Sequence, residues 1–198
     1  MKKIGLYFGS FNPIHNGHLA IVGYMTEYTD LNEIWLVVSP HNPLKEKGTL
    51  LADHQRLHMV DLAIGDNPKL KACDIEFKLP VPSYTIETLT YLKEKHPENE
   101  FALVMGEDNL YTLHKWKNAL ELIAKCKIYV YPRQDVEKPS HPLLDQILDK
   151  ADIQFVKAPL MEISGTFIRK GIKEGKDLSY FVPPAVWRYI REMHFYEK

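Results

Sequence analysis

Short apolar runs recur along the chain with longer mixed stretches between them: Ile4 to Phe8, Ile34 to Val38, Leu70 to Phe77, Phe101 to Met105, Ile128 to Tyr131 and Ile153 to Val156. Alternation of strand-length runs with helix-length segments predicts β-α units and an α/β fold with a parallel sheet. Between the first two runs, Leu19, Val22, Met25 and Tyr28 keep a spacing of three, which predicts one buried helical face. Similar faces run through Leu57 to Ile64 and Ile86 to Leu92. The proline pair Pro183-Pro184 suits a helix start, and Val186, Tyr189, Ile190 and Met193 continue it to a closing helix. Ser39 to Leu51 and Pro132 to Pro142 lack either pattern and are expected as long loops. The first follows directly on a strand, at the sheet edge where open α/β folds bind ligands.

Length and charge narrow the classes. A chain of 198 residues, 45% hydrophobic, can bury a substantial core and suits one domain. Its 25 basic side chains balance 26 acidic ones, so the basic footprint of a nucleic-acid binder or a polybasic membrane surface is missing. An anionic ligand must therefore be met by local charge. Cys73 and Cys126 are too few and too far apart for a disulfide framework or a zinc motif, and are expected as reduced core residues. The apolar run after Lys2 and Lys3 breaks at Gly9, Ser10 and Asn12-Pro13, which argues against a secretory signal. No stretch approaches the ~20 apolar residues of a membrane span, and a cytoplasmic protein is expected. A homo-oligomer is compatible with all of this.

The first apolar run leads into GSFNPIHNGH, residues Gly9 to His18. Small residues at the C-terminal end of a parallel strand let an anion approach the backbone, and the helix that follows offers unpaired N–H groups. His15 and His18, one turn apart, can each donate a hydrogen bond to a phosphate oxygen. The competing reading is a turn capped by Asn16 with two solvated histidines. A metal site is disfavoured, since no acidic or cysteine partner has ligand spacing. His54 and His58 are four apart but lack the glutamate of a zincin motif, and are expected as exposed helix residues.

Near the other end lies ISGTFIRKGIKEG, where Ser164 or Thr166 reads as an N-cap. Arg169 and Lys170 close to a helix N-terminus run against the helix dipole, an arrangement that makes sense if an anion neutralises it. In MGEDNLYTLHKW, Gly106 and Asp108 should emerge at the ligand edge of the sheet, where a carboxylate can hold ribose hydroxyls, and Trp116 can stack on a flat ring. PSYTIETL offers Ser83 as a cap and Thr85 as a polar contact. Lys45 and Arg133 are the remaining candidate cations, with Arg56 ambiguous. Neither a P-loop nor a G-x-G-x-x-G fingerprint is present, which argues against a P-loop kinase and a dehydrogenase.

Taken in order, GSFNPIHNGH, PSYTIETL, GEDNLYTLHKW and ISGTFIR resemble the nicotinate or nicotinamide mononucleotide adenylyltransferases, a branch of the H-x-G-H nucleotidyltransferase superfamily, from Lys3 to about Arg191. The resemblance implies a Rossmann-like open parallel sheet with helices on both faces. It implies one nucleotidyltransferase domain over residues 1–198, with a C-terminal helical segment from about residue 160. It also implies transfer of AMP from ATP to nicotinate mononucleotide, with Mg²⁺ bound to ATP rather than held by protein ligands. His15 and His18 would then be the catalytic pair. Gly9, Ser10, His18, Gly106, Asp108, Ser164, Thr166 and Arg169 would bind ATP, and Lys45, Thr85, Trp116 and Arg133 the mononucleotide. Asn12, Gly165 and Glu107 depart from the family's commoner residues. The compact length and the SYT segment are similar to the branch that prefers the nicotinate acceptor. Two alternatives stand beside this reading: phosphopantetheine adenylyltransferase, and a nucleotide-binding sensor on the same fold without turnover.

Overall fold

The computed structural model describes residues 1–40 and 50–197. Six strands form one sheet: β1 (Lys2–Gly9), β2 (Glu33–Val38), β3 (Leu70–Cys73), β4 (Asn99–Gly106), β5 (Ile128–Tyr131) and β6 (Ile153–Phe155). The helices are α1 (Asn16–Tyr28), α2 (Asp53–Ile64), α3 (Thr85–Lys95), α4 (Glu107–Leu110), α5 (Ala119–Lys125), α6 (Pro142–Lys150), α7 (Gly165–Lys173) and α8 (Pro184–Glu192). Every strand pair is parallel, in the order β3-β2-β1-β4-β5-β6. The chain winds outward from β1 to β3, then starts again at β4 on the other side. The strand order thus reverses between β1 and β4, the place where an open α/β sheet leaves a crevice at its carboxyl ends.

Side-chain alternation along the strands builds two cores, one on each face. Ile4, Leu6, Trp35, Val37, Phe101, Leu103, Ile128 and Val130 pack with α3, α5 and α6. Tyr7, Ile34, Leu36, Val38, Ala102, Val104, Tyr129 and Tyr131 pack with α1, α2, α7 and α8. Because both faces are covered, the central strands read as near-continuous apolar runs, whereas the edge strands β3 and β6 are interrupted by Lys71 and Gln154. Cys73 and Cys126 are buried free thiols, and His54 and His58 are exposed on α2. Among the described residues, no helix is long and apolar enough to cross a membrane.

Three local expectations are corrected. The run Leu70 to Phe77 divides: β3 stops at Cys73 and Ile75–Lys78 form a 3-10 turn. Here Phe77 N–H bonds the Asp74 carbonyl, and the buried Glu76 carboxylate accepts from Thr88 Oγ1 at 2.8 Å. On α1 the buried face is Gly17, Ile21, Val22 and Met25, whereas Tyr28 is 73% exposed. A strict spacing of three drifts around a helix of 3.6 residues per turn, so Tyr28 lies about 180° from Leu19. Finally, α3 is entered through Tyr84 at its N-cap, not Ser83.

Candidate active site

The turn after β1 is built from its own side chains. The ring of Phe11 occupies the space that a Cβ on Gly9 would take, within 2.8 Å, so the glycine serves the packing of the turn. His15, not Asn16, is the N-cap of α1, and the Asn16 amide donates instead to the Tyr180 carbonyl. The His15 and His18 rings stack with centroids 3.6 Å apart. Gly17 suits this stack, because a Cβ there would lie 3.1 Å from His15 Nδ1, tighter than ordinary contact. His18 Nδ1 accepts from the His15 main-chain N–H at 3.2 Å, which places the proton of a neutral His18 on Nε2. His15 is 5% exposed; burial first, and the charge of Arg133 second, push its pKa down to about 4. It is therefore a neutral imidazole at physiological pH.

A second set of groups comes from the ends of β4 and β5. Arg133 donates from Nη1 to the Met161 carbonyl and from Nη2 to the Tyr131 hydroxyl, both at 3.2 Å. The Tyr131 hydroxyl lies 3.3 Å from that of Tyr7, whose ring meets His18 edge-on at 6.1 Å. Burial, with Tyr131 beside it, holds the Tyr7 phenol protonated well above its ordinary range. Asp108 Oδ1 stands 3.6 Å from Arg133 Nε, and Glu107 accepts from the Arg133 main-chain N–H at 3.3 Å. Gly106 makes this approach possible, since a Cβ would fall 2.3 Å from Asp108 Oδ1. Two buried polar atoms of the site, His15 Nδ1 and Arg133 Nε, have no hydrogen-bond partner among the described residues. Orphaned buried polar atoms are what a polar ligand would satisfy.

The carboxyl-end motif closes on the same turn. Ser164 caps α7 by accepting from Phe167 N–H, and Thr166 Oγ1 accepts from Arg169 Nη2, both at 3.2 Å. Arg169 Nη1 donates to the Asn12 carbonyl at 2.7 Å. The Asn12 carbonyl also lies 2.9 Å from where a Cβ on Gly165 would sit, so that residue lets the helix seat against the turn. Lys170 points away, toward Glu174. Asn12 itself is 5% exposed, and its Oδ1 accepts from the Tyr196 hydroxyl at 2.7 Å and from Leu51 N–H at 3.3 Å.

The expected mononucleotide set is spread more widely. Lys45 lies outside the described residues. Arg133 sits with Asp108 and the histidines. Thr85 opens α3, and Trp116 packs partly buried against the other core, its Nε1 bonded to Thr112 Oγ1 at 3.4 Å. Their segments meet through Lys117, which contacts both the Tyr84 ring and Glu87. Sequence reasoning missed Tyr7, Tyr131 and Tyr196, and left Arg56 undecided although it is fully buried. The signal for Arg56 was present: it shares the buried face of α2 with Met59 and Val60, at i, i+3 and i+4. Among the described residues, no group of three or more His, Cys, Asp or Glu side chains could hold a metal ion.

These features define a nucleotidyltransferase, and residues 6–171 match the cytidylyltransferase-like family, to which the chain belongs. Two full-length relatives, from Flavobacterium psychrophilum and Flavobacterium johnsoniae, are 54% and 56% identical over 99% of this chain and 100% of their own. Each is named "Probable nicotinate-nucleotide adenylyltransferase". The chain's place within the family is that branch of enzymes. Among solved structures, the Plasmodium falciparum nicotinic acid mononucleotide adenylyltransferase complexed with NaAD superposes with a TM-score of 0.80 at 22% identity, covering 100% of this chain and 98% of its own. That likeness shows the shared fold.

Proposed function

We propose that this enzyme transfers the adenylyl group of ATP to the 5′-phosphate of nicotinate mononucleotide, forming deamido-NAD and pyrophosphate in pyridine nucleotide biosynthesis. The observation that carries the reading is the meeting of the two end motifs. Arg169 is bonded to the turn that presents His15 and His18. The full-length relatives support the acceptor.

The chemistry suits the residues. An acceptor phosphate oxygen attacks the α-phosphorus, the bond to the β-phosphate bridging oxygen breaks, and pyrophosphate leaves with the electron pair. The attacking group is already ionised near neutrality, its second pKa being about 6, so no general base is required. The protein's tasks are alignment and charge stabilisation. His18 donates from Nε2 to the α-phosphate, and neutral His15 stacks behind it to fix its plane. Arg169 serves the departing pyrophosphate, and Ser164, Thr166 and Ser10 line the phosphate path, with Gly9 shaping the turn that presents Ser10. Asp108, beside Gly106, takes the ribose hydroxyls. Thr85 and Trp116 face the pyridine, with Lys45 and Arg133 as cations for the acceptor. Mg²⁺ enters as part of the ATP substrate, neutralising phosphate charge.

The test is dinucleotide formation from nicotinate and nicotinamide mononucleotides under identical ATP and Mg²⁺. A kcat/KM at least about tenfold higher with the nicotinate form is expected, a gap that takes only about 1.4 kcal/mol of differential binding. ATP binding without pyrophosphate release would indicate the sensor instead, and turnover with phosphopantetheine alone would indicate the sister enzyme.

A further inference from the structure

Arg56 has no exposed surface, and every one of its donors is used. Nε donates to the Leu51 carbonyl at 3.0 Å. Nη1 donates to the carbonyls of Ser10 at 2.6 Å and Ser39 at 2.8 Å. Nη2 donates to the Pro40 carbonyl at 3.3 Å and to Asp53 Oδ1 at 2.5 Å. These five bonds match the five N–H groups of a guanidinium.

Its position explains the need. The last main-chain bond between β1 and β2 runs from Ser39 N–H to the Gly9 carbonyl at 3.0 Å. One residue further along β1, and on Ser39 itself, the carbonyls of Ser10 and Ser39 turn to the same Nη1. The guanidinium thus continues the pairing of two strands past the point where their backbones part. A buried charge is costly, and well-packed apolar residues often replace one without loss of stability. Retaining it here makes sense for what it holds in place. Leu51 accepts from Arg56 and donates to Asn12 Oδ1, and the Asn12 carbonyl accepts from Arg169. One chain of hydrogen bonds therefore joins the two guanidinium groups.

We infer that Arg56 is a positioning residue for ATP, fixing Ser10 directly and the Asn12 anchor of Arg169 through Leu51. The inference rests on the phosphate path proposed above. It is specific in direction: ATP should suffer most when Arg56 is altered, and the mononucleotide less, through Ser39, Pro40 and Leu51 on either side of Lys45 in the sequence. Lysine cannot substitute, because three donors on one nitrogen do not reproduce a planar fork.

Arg56→Lys and Asp53→Ala test this by calorimetric titration of ATP and of nicotinate mononucleotide separately, with thermal melts of each protein. In Arg56→Lys the Kd for ATP should rise about tenfold or more, small misplacements being costly at a phosphate site, while that for the mononucleotide rises by no more than about threefold. In Asp53→Ala, which removes one of the five anchors, ATP should weaken about threefold with the same selectivity. Unchanged ATP affinity in folded variants, or equal weakening of both substrates, overturns the proposal. If Arg56→Lys does not fold, Asp53→Ala decides by the same two readouts. Wild-type protein that binds ATP but releases no pyrophosphate would sink the proposed function and leave this test intact.

Discussion

Arg169 Nη1 donates to the main-chain carbonyl of Asn12 at 2.7 Å, across 157 positions of sequence. This bond brings the carboxyl-end motif to the histidine turn and gives the guanidinium a fixed origin. The phosphate-facing role proposed for Arg169 makes Arg169→Ala the more damaging change, with kcat/KM for ATP expected to fall by at least about 10²-fold. Arg169→Lys keeps the charge but loses the fork, and should recover only part of that loss. Steady-state kinetics with ATP varied at saturating acceptor checks both.

His18 is held by the hydrogen bond to its Nδ1 and by the His15 ring. If Nε2 acts mainly in the transition state, His18→Ala should lower kcat by roughly 10²- to 10³-fold and raise KM for ATP far less. An unchanged kcat would remove His18 from the mechanism.

The buried neutrality of His15 has a consequence for stability. Its pKa is about 4 in the fold against an ordinary value of 6.5, so the unfolded chain binds more protons between those limits. Stability from this group is complete above pH 6.5 and is lost as pH falls toward 4, by roughly 3 kcal/mol. Denaturant unfolding at pH 7.5 and 4.5 should show a smaller drop in His15→Gln than in the wild type. Equal drops would mean that His15 titrates normally in the fold.

Two glycines separate stability from function. A Cβ on Gly5 would lie 2.6 Å from Ile34 Cδ1 and 3.0 Å from Val104 in the core. Gly5→Ala should cost about 1–3 kcal/mol of stability with KM for ATP unchanged. A Cβ on Gly106 meets the carboxylate of the exposed Asp108, which can swing aside, at 2.3 Å and Arg133 Nε, which need give only a few tenths of an ångström, at 3.0 Å. Gly106→Ala should therefore melt near the wild-type temperature while KM for ATP rises. Melting curves and kinetics on the two variants measure the contrast.

The centre of the parallel sheet was legible because burial on both faces leaves near-continuous apolar runs, and the interrupted edge runs, with Lys71 and Gln154, still placed β3 and β6. What failed was local. Spacing by three misjudged Tyr28, and the edge strand β3 gave way to a turn that aims Glu76 at Thr88. Motif residues were visible as residue types, but their partners were not. Asn12 joins Tyr196, Leu51 and Arg169 through contacts between segments far apart in sequence, which no periodicity encodes. Gly9 and Gly165 stood out as small, yet the space beside each is filled by Phe11 and by Asn12, respectively.

The histidine turn and Arg169 are proposed to act on one triphosphate, and a crystal structure with a non-hydrolysable ATP analogue checks this. The α-phosphate is expected within hydrogen-bond distance of His18 Nε2, with Arg169 bonded to the β- or γ-phosphate of the same molecule. Phosphates contacting only one of these groups, or lying in a crevice away from both, would contradict it.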